Sequence, residues 1–189
     1  IFRAGGWCIE PFGKISQALQ ANGIYLDSSI ATEKYSDGKI ADFDFRDYPI
    51  KNKYSFSTPK YEDENGYFTE VQISTIKLAN YLIFYDYLKR FLKKETITIF
   101  GDGIGIGSKN SHWKILSTIF KRLLFGANDM LALEFNSEYL FKKSLKKIPD
   151  YSVMIGHPKS LGLKHFEVLE NLLMQKKIKF ISLVKVTNE

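Results

Sequence analysis

The sequence has little of what would indicate an oxidising compartment or a metal held by cysteine and histidine. Its one cysteine among 189 residues, Cys8, makes neither an internal disulfide nor a multi-cysteine zinc site. Its three histidines are His112, His157 and His165. None lies four residues from another, the spacing that puts two imidazoles on one helix face. We therefore expect no metal site within this chain.

Long apolar runs are also missing. Even the segment from Leu78 to Leu92 is interrupted by Asp86, Lys89 and Arg90, whereas a membrane-spanning helix needs about 20 mostly apolar residues. We therefore expect the chain not to span a membrane. The formal net charge of +6 is explained by solvated helix faces, and no groove-reading motif accompanies it, so we expect no nucleic-acid partner.

The remaining composition is that of an ordinary globular protein, with 44% hydrophobic and 25% charged residues. This length predicts a single domain over residues 1–189. Hydrophobic periodicity predicts strands and helices in alternation, which is typical of an α/β fold. The first predicted strand lies in residues 1–7 and runs into a loop at Gly5-Gly6. The other predicted strands are 24–27, 68–73, 96–100, 151–155 and 178–184. The predicted helices are 11–22, 78–92, 113–123, 134–147 and 163–174.

Between the predicted elements, residues 31–66 form a long polar excursion that contains a short strand near 42–46. An excursion of this length is more often a binding loop or lid than a simple connection.

The glycine-rich run 101–107 follows a β-branched strand and precedes a helix, as nucleotide-binding loops do. Its spacing matches neither phosphate-binding glycine template, so a tight turn is favoured and nucleotide binding is a weaker alternative.

Polar side chains stand at the carboxyl ends of three predicted strands, where ligands of α/β proteins bind. They are Arg3 with Trp7, Asp27 with Ser28 and Ser29, and His157 before Pro158. His157 is the best candidate, since imidazole titrates where general acid chemistry needs it. An ion pair or turn chemistry would also explain Arg3 and Asp27. His112 at a predicted helix start and His165 in a helical pattern are interpreted as structural or surface residues and are assigned no role.

Three short segments resemble motifs of one family. They are Phe-Arg-Ala-Gly-Gly-Trp at 2–7, Gly-Ile-Tyr-Leu-Asp-Ser-Ser at 23–29 and Ile-Gly-His-Pro at 155–158. In this order they resemble the third, fourth and last motifs of NodB-like polysaccharide deacetylases, carbohydrate esterase family 4. The resemblance spans nearly the whole chain, and it is closest to members associated with cell-surface polysaccharide. It implies a partial or distorted (β/α) barrel, the C-terminal part of the family's fold.

The resemblance also implies metal-dependent hydrolysis of N-acetyl groups on a cell-surface polysaccharide or its amino-sugar precursor. By carry-over, His157 would be the general acid that protonates the leaving amine. Arg3 would orient the base carboxylate, Asp27 would belong to the network behind the acid, and Trp7 would form a wall of the sugar groove. An aromatic wall suits the apolar face of a sugar ring.

Departures from the family pattern keep a second hypothesis open. The family's base Asp and its metal ligands would lie upstream of Ile1, so a divalent metal, zinc or similar, is expected only in a longer protein, and this chain alone is expected to be inactive. Ile30 and Ala31 replace a second Asp and a Trp of the fourth motif, and Gly5-Gly6 replaces a proline. The alternative is a non-catalytic carbohydrate-binding or scaffold domain. In either case, open strand edges of a partial barrel predict a dimer or other homo-oligomer.

Overall fold

The computed structural model describes residues 1–37, 41–93, 97–101, 112–135, 137–148, 151–174 and 179–186. These residues form two compact units. The first unit contains the described residues of Ile1–Thr75, Tyr151–Val153 and Phe180–Glu189, and the second contains those of Ile76–Asp150 and Met154–Lys179. The single domain expected over residues 1–189 stays a prediction.

Helices and short strands are mixed along the described residues. The helices are α1 Gly13–Ala21, α2 Asn80–Lys93, α3 His112–Phe125, α4 Glu138–Leu145, α5 Leu163–Met174 and α6 Leu183–Val186. The strands are β1 Leu26–Asp27, β2 Tyr35–Asp37, β3 Asp42–Asp44, β4 Lys53–Phe56, β5 Phe68–Val71, β6 Thr75–Leu78 and β7 Ala127–Met130. These strands form small sheets, and the partial or distorted (β/α) barrel stays a prediction.

The central sheet of the first unit has the strand order β1, β5, β4. Strand β5 runs parallel to β1 and antiparallel to β4. Phe2 adds a parallel bridge to Asp27, so the chain segments on either side of α1 pair in parallel. Residues Gly5–Trp7, where the sequence predicts that the strand runs into a loop, form a 3-10 turn in which Gly6 and Trp7 adopt left-handed φ angles of 62° and 60°.

The core of the first unit is aromatic. Phe12, at the start of α1, lies between two sheet residues, with its ring centroid 5.2 Å from that of Phe56 and 4.9 Å from that of Phe68. All three side chains are buried. Burial of each ring contributes about 1.5–3 kcal/mol, and tilted or edge-on ring pairs add about 0.5–1.5 kcal/mol. These contacts fix α1 against the sheet.

The second unit packs α2, α3, α4 and α5 around the two-stranded sheet of β6 and β7. Helix α2 turns Leu82 and Ile83 inward, where both are buried. An ion pair from Arg122 to Asp129, 2.6 Å long, connects α3 to β7. Among the described residues, no helix is both long enough and apolar enough to cross a bilayer.

Hydrophobic periodicity predicted the helices well, but the prediction of a last strand was wrong. The pattern at 163–174 coincides with α5, and that at 78–92 agrees with α2 to within two residues at its start. The strand predicted over 178–184 ends instead in helix α6, whose residues Leu183 and Val186 both reach one buried cluster. A spacing of three residues brings two side chains to one side of a helix but to opposite sides of a strand.

Two other predictions concern the segment around the glycine run. The described residues 97–99 are not in a strand, although the β-branched sequence favours one. Nearly all of the glycine run at 101–107 lies outside the described residues.

A short strand near 42–46 was predicted within the polar excursion, and β3 confirms it as one half of an antiparallel hairpin with β2.

Substitution of Gly66 tests the close packing of the first unit. A Cβ at this position would lie 2.2 Å from the carbonyl carbon of Phe56, so backbone would have to move. We expect Gly66→Ala to lower the free energy of unfolding by about 1–3 kcal/mol, the usual cost of overpacking. Gly13→Ala is the matched control, because it meets nothing within 4 Å and alanine favours helix. Urea titration followed by circular dichroism measures both, and equal midpoints would contradict the prediction.

Candidate functional site

The candidate residues fall in both units. Arg3, Trp7 and Asp27 belong to the first unit, and His157 belongs to the second. Each group has its own hydrogen-bond network. The two groups are therefore described one after the other.

Asp27 lies beside a second buried carboxyl group, that of Glu70. The register of the parallel pair β1 and β5 makes Asp27 and Glu70 direct partners, and each carboxyl group affects the pKa of the other. Asp27 is 1% exposed and Glu70 is 0% exposed. Since two carboxylate ions repel each other in a dry site, one proton has to remain on the pair.

The pKa directions agree with a shared proton. Burial raises the pKa of Glu70 well above its ordinary value, and the charge of Asp27 raises it further. Burial also raises the pKa of Asp27, against the hydrogen bonds from Glu70 and Ser29. One oxygen of each group, Asp27 Oδ2 and Glu70 Oε2, is buried without a donor among the described residues. A proton held between the two groups would satisfy these oxygens.

Hydrogen bonds from the segment around Arg3 hold this pair in place. Ser29 Oγ donates to Asp27 Oδ1 at 2.6 Å and accepts from the backbone N–H of Ala4 at 2.8 Å. The exposed guanidinium of Arg3 donates to the carbonyl oxygen of Ser28 at 2.9 Å and to its hydroxyl at 3.2 Å. Arg3 and Asp27 therefore belong to one network, in which Asp27 is buried and Arg3 faces solvent.

Trp7 follows Arg3 in a strained backbone conformation. Its φ of 60° lies in the left-handed region, which an aromatic residue rarely adopts without support from its surroundings. That support is packing, since the indole meets Phe43 edge-on with centroids 5.6 Å apart. The side chain remains only partly buried. Its predicted role as a wall of a sugar groove stays a prediction.

His157 of the second unit is held by a carboxylate that the sequence analysis did not single out. Glu134 Oε1 contacts Nδ1 of the imidazole, and Glu134 Oε2 accepts from the backbone N–H of His157 at 3.2 Å. Because an ionised carboxylate only accepts hydrogen bonds, Nδ1 carries the hydrogen, and Nε2 has no partner among the described residues. The side chain of His157 is 52% exposed, and that of Glu134 is 18% exposed.

His165, in contrast to His157, has a structural role. It is buried in α5. Its Nδ1 accepts from the backbone N–H of Gly162 at 2.9 Å, and its Nε2 lies 2.9 Å from the carbonyl oxygen of Phe135. Both ring nitrogens are thus used by backbone groups, which confirms the structural interpretation. His112 begins α3, but its side chain lies outside what the structure describes.

The described residues do not fit the metal that the family resemblance implies. Nowhere in the described part of the chain do three His, Cys, Asp or Glu side chains form a group that could hold an ion, and a catalytic zinc needs three protein ligands. The carboxyl pair of Asp27 and Glu70 offers only two ligands, and the positive charge of Arg3 lies beside it. No chemical step assigned to this chain therefore passes through a metal.

Comparison with family models, with curated proteins and with solved structures gave no match to this chain. Its function is therefore inferred from the geometry of its residues and from the motif resemblance.

Sequence analysis missed two carboxylates, and each had a local signal. Glu70 alternates with Phe68 and Gln72 on one side of its strand, and all three are buried. Glu134 stands in the apolar run that begins at Leu131. A charged residue at a position where periodicity demands an apolar one often has a buried partner or a function. The sequence alone does not show which partner it has.

The carboxyl pair predicts how stability depends on pH. The unfolded chain releases the Glu70 proton near the ordinary value of 4.5, whereas the folded chain keeps it to higher pH. Folding therefore takes up a proton above that value, so the free energy of unfolding falls as pH rises, until the folded pKa is passed. The slope for one proton is at most about 1.4 kcal/mol per pH unit.

We expect Glu70→Gln to flatten this slope, because an amide cannot lose the proton. The exposed Glu64 provides the control variant, Glu64→Gln. Urea titrations at several pH values between about 5 and 8 give the slopes for the wild type and both variants. A Glu70→Gln slope equal to that of the wild type would show that the two carboxyls do not share a proton.

Proposed function

We propose that this chain is the C-terminal part of a polysaccharide deacetylase-like protein, which hydrolyses N-acetyl groups on a cell-surface polysaccharide or its precursor. The observation that carries the proposal is the pair of His157 and Glu134. A carboxylate on Nδ1 of a half-exposed imidazole is the arrangement that general acid and base catalysis uses. His157 lies within the segment that resembles the family's last motif, and Glu134 lies 23 residues before it.

The chemistry of the pair suits amide hydrolysis. The Glu134 carboxylate orients the ring and stabilises the imidazolium, so that Nε2 holds the proton that moves. The nitrogen of a broken amide leaves as an amine only after it has been protonated, and Nε2 of His157 is the donor. Because more than half of the imidazole is exposed, a sugar amide can approach it. Glu134 is a positioning residue, and His157 is the catalytic one.

Within the first unit, the motif resemblance assigns Arg3 to orienting a base carboxylate and Trp7 to a wall of a sugar groove. The exposed Arg3 and the partly buried Trp7 offer a charge and an aromatic face. The buried Asp27 does not reach solvent. It acts through Ser29, which holds the backbone of Ala4, next to Arg3. In this proposal Asp27 is thus a structural member of the network around Arg3, and the carboxylate behind the acid is Glu134.

A divalent metal, zinc or similar, completes the proposal for a longer protein, and upstream residues would hold it. When bound, such a metal would supply Lewis-acid activation of the N-acetyl carbonyl and of the attacking water. Zinc or cobalt titration by calorimetry, on this chain and on a longer chain with the upstream residues, tests this. Binding by the longer chain alone would support the deacetylase. Binding by neither would favour the non-catalytic carbohydrate-binding domain, and tight binding by this chain alone would contradict our account of its ligands.

Substitution tests the roles of the pair in the longer chain. We expect His157→Ala to lower kcat for amine release from N-acetylglucosamine oligomers by about 10²–10⁴-fold, the contribution of a general acid. Glu134→Gln keeps the imidazole but removes the carboxylate, so we expect a smaller loss in kcat. The control is Glu170→Gln on the exposed side of α5. Unchanged kcat in His157→Ala, with the fold intact by circular dichroism, would refute the assignment.

A further inference from the structure

Helix α2 has an apolar face that is exposed. Its inward side chains, which include Leu82, Ile83 and Asp86, are buried. The opposite side carries five large apolar or aromatic side chains, each between 43% and 71% exposed. This α2 face consists of Tyr81, Phe84, Tyr85, Leu88 and Leu92. Single exposed apolar residues are normal on a protein surface, whereas a contiguous group on one helix indicates a docking surface.

The spacing within the α2 face is that of two paired helices. At intervals of four, three and four residues come Tyr81, Tyr85, Leu88 and Leu92. The a and d positions of a coiled-coil seam have the same spacing. Tyrosine and phenylalanine are in addition enriched in the cores of protein interfaces. The occupant that this pattern favours is therefore another helix.

The exposed area suits a weak dimer. A fully covered aromatic side chain buries about 150–250 Å², so five side chains that are about half to two-thirds exposed give the α2 face on the order of 500 Å². Two such faces together would bury about 1,000 Å², which is the lower limit for a specific interface. A second copy of the chain supplies a face of the required size and apolar character, because its own α2 is the same.

The charges of α2 favour an antiparallel arrangement of the two copies. Its basic residues all lie in the C-terminal half of the helix and are Lys89, Arg90 and Lys93. Its one acidic residue, Asp86, is buried. Parallel copies would bring the two basic ends together. Antiparallel copies place these ends on opposite sides of the interface, more than one Debye length of about 8 Å apart.

We propose that two copies of this chain associate through their α2 faces, antiparallel and about a twofold axis. Tyr85 lies near that axis, and the aromatic end of the face at Tyr81 meets the aliphatic end at Leu92 of the partner subunit. The inference goes beyond the proposed function and does not rest on it. Because the interface is a helix face, it also differs from the strand edges that a partial barrel would leave open.

Sedimentation equilibrium tests whether the chain dimerises. We expect a dimer with a Kd on the order of 1–100 µM, because small interfaces give weak complexes. A twofold interface closes after two copies, so no larger assembly should form. A monomer at every concentration across and above this range would overturn the proposal, and so would a larger assembly.

Substitution near the axis tests where the copies meet. We expect Tyr85→Glu to raise the Kd at least about tenfold, since two like charges would be brought together in the interface. Tyr61→Glu is the matched control, because Tyr61 is similarly exposed but belongs to the first unit. A dimer formed by strand edges would survive Tyr85→Glu, and that result would overturn the proposal. Equal weakening by Tyr61→Glu would also overturn it.

Further variants keep the test decisive. The ring of Tyr85 also contacts that of Tyr139, with centroids 5.0 Å apart, so Tyr81→Glu is the second variant if circular dichroism shows that Tyr85→Glu does not fold. An equimolar mixture of Tyr85→Glu and Tyr85→Arg should associate more tightly than either variant alone, because opposite charges then meet near the axis. A mixture without this gain would overturn the twofold arrangement.

A lipid surface is the competing occupant, since a helix with an apolar face and basic residues can also lie on a membrane. Co-sedimentation with vesicles of phosphatidylglycerol and phosphatidylcholine tests this occupant. We expect the chain to remain in the supernatant. Sedimentation of the wild type with the vesicles, lost in Tyr85→Glu and without a dimer in solution, would overturn the proposal in favour of a membrane.

Discussion

The first unit depends on how it accommodates two carboxyl groups inside a sheet. Asp27 and Glu70 are register partners on parallel strands, and neither side chain reaches water. Such a pair is tolerable only when it keeps a proton and when nearby donors satisfy its oxygens. Ser29 donates to Asp27, and the backbone N–H of Ile30 donates to Glu70. Another register of β1 and β5 would separate the two carboxyl groups and would move Glu70 away from the N–H of Ile30.

Glu134 and His157 form a polar pair of the opposite kind. Its imidazole is half exposed, and its carboxylate fixes the ring by contacting one nitrogen and the backbone N–H of the same residue. A buried pair that keeps its proton can be accommodated inside a fold, whereas an exposed imidazole with one nitrogen available can exchange protons with a ligand. This contrast is why the proposed chemistry centres on His157, while Asp27 is assigned to structure.

Much of the helical structure could be predicted from periodicity. The apolar spacing of α2 and α5 is strong, and long periodic segments are determined mainly by which face is buried. Short elements were harder to predict. The turn at Gly5–Trp7 depends on two left-handed residues, and α6 depends on Leu183 and Val186 reaching a buried cluster. Local sequence is compatible with either strand or helix at such places, so packing decides.

The sequence by itself determined the amphipathic helices, the shortage of cysteine and histidine ligands, and the position of His157 between glycine and proline. Tertiary structure decided the partners. Glu134 lies 23 residues before His157, and Glu70 lies 40 residues after Ile30, to whose N–H it binds. Local periodicity shows that a charged residue is turned inward but not which distant residue it meets. That depends on the register and on the packing of separate segments, which no short stretch of sequence encodes.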